Sequence, residues 1–261
     1  MPKWIDASAY WGRWSVRTPG VDDVETFVAK MDDLNVEVAA ITGLRALVDS
    51  TRQGNREVAA VLRQAPGRFA GIACINPMMG SAALEEMALC VAEGFCGLRL
   101  YPAHHLYTVH DRLALDPVME RAAASRLPVY WTGCPAPGSI LRQTPLDGME
   151  TLAQAFPNVP FILSAYNYAE FYRIQYLMRS ASNIYLEISC YHGVEGVREF
   201  TEAFGAGRVL LGTGYGIQYA GIGVGKVETA DISETARALV GRGNACRLLQ
   251  IVDSPCRVGA L

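Results

Sequence analysis

Two short stretches hold most of the side chains able to do chemistry. One carries Arg99, Tyr101, His104 and His105, the other Glu187, Ser189, Cys190, Tyr191 and His192. Asp6, Asn76, Trp131 and Tyr215 stand singly at the ends of other apolar runs. Arg99 lies inside the apolar run 97–101, so in a strand it must enter a buried layer, where a guanidinium is costly unless paired. Two kinds of partner suit it. One is the carboxylate or phosphate of a ligand, gripped through the planar fork; the other is an internal ion pair with Glu187 or Asp6. His104, Glu187 and His192 are the candidate proton carriers beside it. Cys190 and His192 are two residues apart, a spacing that in a strand puts a thiol and a base on one side. A buried cysteine and a loop histidine account for the same pattern. His104 and His105 are adjacent, and on an extended segment they point opposite ways, so they are not expected to share one metal ion.

The elements that must position these residues are legible as an alternation of short β-branched runs with longer stretches of helical period. Strands are expected at 4–7, 36–42, 69–75, 97–101, 129–132, 161–164, 184–188 and 209–213. A helix is expected over 21–34, where Val24, Phe27, Val28, Met31 and Leu34 form an apolar stripe. Ser81 reads as the N-cap of another that ends at Gly94, and Asp116-Pro117 as the start of a third. Eight such units close into a (β/α)8 TIM-like barrel of the α/β class, expected to form one domain over residues 1–261. An open nucleotide-binding sheet would carry a glycine fingerprint after its first strand, and Ala7-Ser8-Ala9-Tyr10-Trp11-Gly12 has none. The later run Gly221-Ile222-Gly223-Val224-Gly225 reads as a loop after the eighth strand rather than a phosphate cradle.

Composition narrows the function classes. The chain of 261 residues is 51% hydrophobic and 19% charged, which demands a large interior and excludes a disordered chain. A net charge of -3 with no basic stripe argues against a nucleic-acid partner. No apolar run reaches the roughly 18 residues of a membrane helix, and no secretory leader is visible, so a cytoplasmic protein is expected. Seven scattered cysteines (Cys74, Cys90, Cys96, Cys134, Cys190, Cys246, Cys256) form no metal-binding pair and read as reduced, buried thiols.

In order and spacing the chain resembles the amidohydrolase-related family, the "amidohydrolase 2" group of metal-dependent barrel hydrolases and decarboxylases. The resemblance covers nearly the whole chain. It is carried by Gly71-Ile72-Ala73-Cys74-Ile75-Asn76-Pro77, Gly97-Leu98-Arg99-Leu100-Tyr101-Pro102, Leu115-Asp116-Pro117, Leu127-Pro128-Val129-Tyr130-Trp131-Thr132-Gly133, Asn183 to Ser189, Phe204 to Tyr215, and Gly243 to Leu249. It implies metal-binding histidines on strands one, five and six and an aspartate on strand eight. On the expected alignment those positions are Ala7, Ala9, Trp131, Ala165 (or Tyr166, one residue on) and Gly214. None of Ala, Trp and Gly offers a donor, so the expectation is a barrel without a bound metal or other cofactor.

Rings gather after the strands: Tyr10, Trp11, Trp14, Tyr130, Trp131, Tyr166, Tyr168, Tyr215 and Tyr219. They would either line an apolar pocket or plug the barrel top. Three readings stand. The first is a non-catalytic or metal-independent barrel that binds a small anionic or aromatic molecule through Arg99, Tyr101, Trp131 and Tyr215. The second is a metal-independent hydrolase, lactonase or decarboxylase of a small carboxylate, with His104, Glu187 or His192 moving protons. The third is a structural or interaction subunit. Pairing into a homo-oligomer fits all three.

Overall fold

The computed structural model describes residues 3–13, 21–135 and 143–251; Trp14 and Cys256 lie outside them. Eight parallel strands follow one another in chain order around a barrel: β1 (Trp4–Trp11), β2 (Val36–Gly43), β3 (Phe69–Cys74), β4 (Gly97–Leu100), β5 (Val129–Thr132), β6 (Phe161–Ser164), β7 (Ile184–Glu187) and β8 (Val209–Leu210). A crossover helix follows each: α1 (Val24–Asp33), α2 (Thr51–Gln64), α3 (Ser81–Ala92), α4 (Arg112–Ala124), α5 (Met149–Ala155), α6 (Phe171–Ser180), α7 (Gly196–Phe204) and α8 (Ala220–Glu228). The expected (β/α)8 architecture is therefore the observed one.

The strands are buried on both faces, as a parallel sheet under a layer of helices requires. Leu98, Leu100, Trp131, Leu163 and Leu186 face outward and pack with Phe27, Val58, Met87 and other helix residues. Ile5, Val38, Ala40, Ile72, Tyr130, Ile162 and Leu210 fill the interior, where Ala245, Leu248 and Leu249 of the last helical turns join them. Above that layer lie Tyr10, Leu44, Cys74, Tyr101 and Ile217.

The seam between β8 and β1 is closed partly by a side chain. Ala7 N–H donates to Leu211 O (2.8 Å), Gly214 N–H to Ser8 O (2.8 Å) and Tyr10 N–H to Tyr215 O (2.7 Å). Between these bonds the Asp6 carboxylate accepts the Thr213 N–H (2.9 Å) and the Thr213 hydroxyl.

Several local expectations are corrected. Strand β1 runs on to Trp11, and its register against β2 steps from Asp6↔Ala39 to Ala9↔Ile41, which inserts one extra residue on β1. Strands β3, β4, β7 and β8 stop short of their expected ends. The first helix begins after Asp23, whose carboxylate caps Thr26 N–H at 2.7 Å. Gly80, at φ 57°, occupies the N-cap where Ser81 was expected, and Ser81 is the first helical residue. Helix α4 starts at Arg112 and contains Pro117, with Arg112 Nε bonded to Asp116 Oδ1 at 2.5 Å. The glycine run 221–225 is helical, inside α8. The reason is contact: a Cβ on Gly223 would strike the Gly212 carbonyl oxygen and sit 2.7 Å from Thr213 Cα, so glycine lets α8 lie directly on the chain leaving β8.

Candidate functional site

Arg99 occupies the middle of the mouth. It is on β4 between two outward leucines, so it points inward, and it is fully buried at 0% exposure. Its Nη1 donates to the Tyr10 hydroxyl (2.7 Å) and, longer, to Ser164 Oγ (3.5 Å); Nη2 donates to Ser8 Oγ (3.0 Å). The guanidinium carbon stands 4.9 Å from the Tyr10 ring centroid and 4.7 Å from that of Tyr130. Among the described residues its Nε has no hydrogen-bond partner. Among the described residues no carboxylate forms an ion pair with Arg99, so the internal partnership with Glu187 or Asp6 is corrected. Glu187 reaches it only through Ser164, whose hydroxyl donates to Oε2 at 2.7 Å.

The two buried carboxylates expected from the sequence, Glu187 and Asp6, are already engaged. Glu187, at 0% exposure, also accepts the Ser189 hydroxyl (3.0 Å) and the Ser189 N–H. Asp6 faces α1 and holds the seam. Burial, outweighing the lowering effect of the hydrogen bonds from Thr213 and Ser8, pushes its carboxyl up to about 7.

His104 and His105 are on a helical turn, Pro102–His105, and not on an extended segment. Both rings meet Tyr101 edge-on, at 6.0 and 5.9 Å between centroids. Among the described residues, every buried side-chain polar atom without a hydrogen-bond partner, Arg173 Nε excepted, lies here or on the neighbouring strand tips. They include both His104 nitrogens, His105 Nδ1, the Tyr101 and Tyr107 hydroxyls, Thr42 Oγ1, Thr132 Oγ1 and Gln143 Nε2. Such atoms are expensive to bury alone.

Burial, with the neighbouring His104 charge, lowers His105 from 6.5 to about 4. The imidazole is neutral in the fold, whereas the unfolded chain takes up a proton below about pH 6.5. Stability is therefore lost as pH falls from about 6.5 to about 4, by roughly 2–3 kcal/mol. Asp6 works in the opposite sense over much of this window. Thermal melts should accordingly show wild type losing about 5–10 °C relative to His105→Gln between about pH 7 and pH 4.5. Parallel pH profiles would remove His105 as a titrating group.

The remaining expected residues divide. Tyr101 is fully buried beside Arg99 at the mouth. Trp131 points away from the axis, into the helix layer against Tyr107 (6.4 Å), and Tyr215 turns outward onto Phe27 (4.7 Å). His192 is exposed on the loop after β7. Cys190 lies in a turn rather than a strand, where its sulfur accepts from Gln218 Nε2 at 2.8 Å and burial pushes its thiol up to about 12, away from the thiolate form. The extra residue of β1 turns Ser8 and Tyr10 toward Arg99 and sends Ala9 into the helix layer. The donors around the axis are thus Ser8, Tyr10, Tyr130, Thr132 and Ser164; sequence reasoning named the two tyrosines only as rings and passed over Ser8, Thr132 and Ser164. The tyrosine-rich ends of strands one and five were the available signal. Among the described residues no three His, Cys, Asp or Glu side chains gather as a metal-binding group, and no helix is long and apolar enough to cross a membrane.

With this geometry in place, comparison supplies the class. The amidohydrolase family model matches residues 2–251, and the chain belongs to that family. The structure is similar to the 2,6-dihydroxybenzoate decarboxylase from Rhizobium, with TM-score 0.75 and 18% identity over 96% of this chain and 99% of that one. It is similar also to the 5-carboxyvanillate decarboxylase LigW from Sphingomonas paucimobilis (TM-score 0.71, 18% identity, 96% and 99% covered). A third is the dihydroxybenzoic acid decarboxylase from Polaromonas sp. JS666 with bound manganese and the inhibitor 2-nitroresorcinol (TM-score 0.72, 19% identity, 96% and 98% covered). A search of curated proteins finds no significant match.

Proposed function

We propose that the chain binds a small aromatic carboxylate at the barrel mouth, with the Arg99 guanidinium, rather than a divalent metal, as the central cation. One observation carries this reading: a buried guanidinium that, among the described residues, has an unpartnered Nε and no carboxylate paired to it. A buried charge in that state is strongly unfavourable, and a planar carboxylate matches its fork. The unpartnered hydroxyls and imidazoles beside it supply further polar contacts, and the Tyr10 and Tyr130 rings supply apolar faces.

The manganese bound by the Polaromonas relative does not suit these residues. A divalent cation needs about three anionic or imidazole donors turned to one point. Here the inward tips are hydroxyls, Asp6 faces away, Glu187 already accepts three hydrogen bonds from Ser164 and Ser189, and a fixed positive charge occupies the centre.

A second reading, metal-independent decarboxylation, is favoured by the Ser164 hydroxyl, which links Arg99 to Glu187 and can pass a proton between the Glu187 carboxyl group and a ring carbon. The deciding experiment uses 2,6-dihydroxybenzoate. Titration calorimetry is expected to show one site per chain, unaffected by chelator, with no carbon dioxide released. Chelator-insensitive release, abolished by Glu187→Gln, would establish the second reading. Release that requires added manganese would overturn both.

A further inference from the structure

Away from the mouth, a cleft of about 320 Å³ opens between the loop after β7, the first turn of α7, and α8. Tyr191, His192, Val197, Arg198 and Ala230 are among its walls, and Lys226 of α8 reaches into it. The chain has three lysines, Lys3, Lys30 and Lys226. Lys226 alone of them is drawn into the protein. Its Nζ donates to the carbonyls of Ile188 and Ser189, both at 2.8 Å.

That geometry has a chemical consequence. Two N–H bonds committed to neighbouring carbonyls leave the fourth tetrahedral direction of the neutral amine, its lone pair, turned away from them. We propose that Lys226 is a covalent site for small carbonyl compounds, aldehydes or α-oxo acids, which it captures as an imine. The lone pair attacks the carbonyl carbon to form the C–N bond, and the π pair moves to oxygen, which takes a proton. Loss of that hydroxyl as water, with the nitrogen pair forming C=N, completes a condensation that releases one water and involves no oxidant or reductant.

The surroundings favour each step. Burial lowers the Lys226 ammonium from 10.5 to about 8, against the opposing pull of Glu187 and Cys190, so far more free amine exists near neutrality than on a solvated lysine. His192 lines the same cleft, and its partial desolvation there, with the Lys226 charge, keeps its imidazole below the usual value. It is placed to accept the proton the amine gives up and return it to the departing hydroxyl. Tyr191, Val197 and Ala230 supply an apolar wall for a short carbon chain. Lys226, His192, Tyr191, Val197 and Ala230 lie outside the Arg99 cluster, so this site is tested independently of it.

Incubating the full chain with glyoxylate and borohydride near neutral pH, then mapping peptides by mass, tests the assignment. The reduced adduct is expected on Lys226 in at least about tenfold excess over Lys3 and Lys30, the margin set by its larger free-amine fraction. Lys226→Arg, which can keep the carbonyl bonds, should melt as wild type does and lose the adduct, while His192→Gln should slow its formation several-fold. Adduct shared evenly among the three lysines, or confined to Lys3 and Lys30, would overturn the proposal.

Discussion

Arg99→Met should weaken binding of 2,6-dihydroxybenzoate by about 10- to 100-fold while moving the melting temperature by only a few degrees, because a charge-assisted bond to carboxylate contributes roughly 1.5–3 kcal/mol. The small thermal effect follows from the same geometry. Removing the side chain deprives the Tyr10 and Ser8 hydroxyls of a donor, a cost of about 1 kcal/mol each. It also relieves the burial of a guanidinium that lacks an ion-pair partner, and methionine fills similar volume; buried charges replaced by apolar groups are often neutral or stabilising. Arg99→Lys retains the charge without the fork and should fall between the two. Calorimetry and thermal melts on the three proteins separate a ligand-binding arginine from a structural prop. A prop would lose several degrees and leave affinity unchanged.

Gly223→Ala should cost about 2–4 kcal/mol, lowering the melting temperature by roughly 5–15 °C. The added methyl meets backbone on both sides, the Gly212 carbonyl and Thr213 Cα, and neither can rotate away as a side chain could. Relief requires α8 to lift from the end of β8. Thr213 would then shift from Asp6, and the seam would loosen with it. Gly225, two residues on in the same helix, has nothing within 4 Å of its would-be Cβ. Gly225→Ala should therefore stabilise by up to about 1 kcal/mol through helix propensity alone. Calorimetric melts of the pair provide the check, and equal effects of the two substitutions would show that the close approach at Gly223 is not what matters.

Most of the architecture was legible because parallel strands are apolar on both faces and stand out as runs between helical periods. That property also hides orientation. In Val129–Thr132 every residue is buried, so no alternation of polar and apolar positions reveals that Tyr130 enters the barrel while Trp131 faces the helices. The inward turn of Ser8 and Tyr10 in place of Ala9 has a different origin, a one-residue bulge set by how β1 meets β2. Bulges arise from pairing and leave little trace in one strand's own residues. Arg99 was found because a charge in an apolar run demands explanation. Ser164 and Ser8 were missed because small hydroxyls at strand ends are ordinary until a guanidinium is seen to lie between them. The glycines of 221–225 misled for a related reason: local propensity marks them as loop, and the demand for close approach to residues 212–213 overrides it.

The Asp6–Thr213 contact spans 207 residues of sequence, a separation at which loop closure is costly and contact formation slow. During synthesis the first strand leaves the ribosome long before its last neighbour exists, so the growing chain carries an uncovered strand edge until residue 213 emerges. The latch that completes the ring is therefore also the one that ends this chain's exposure to wrong pairings.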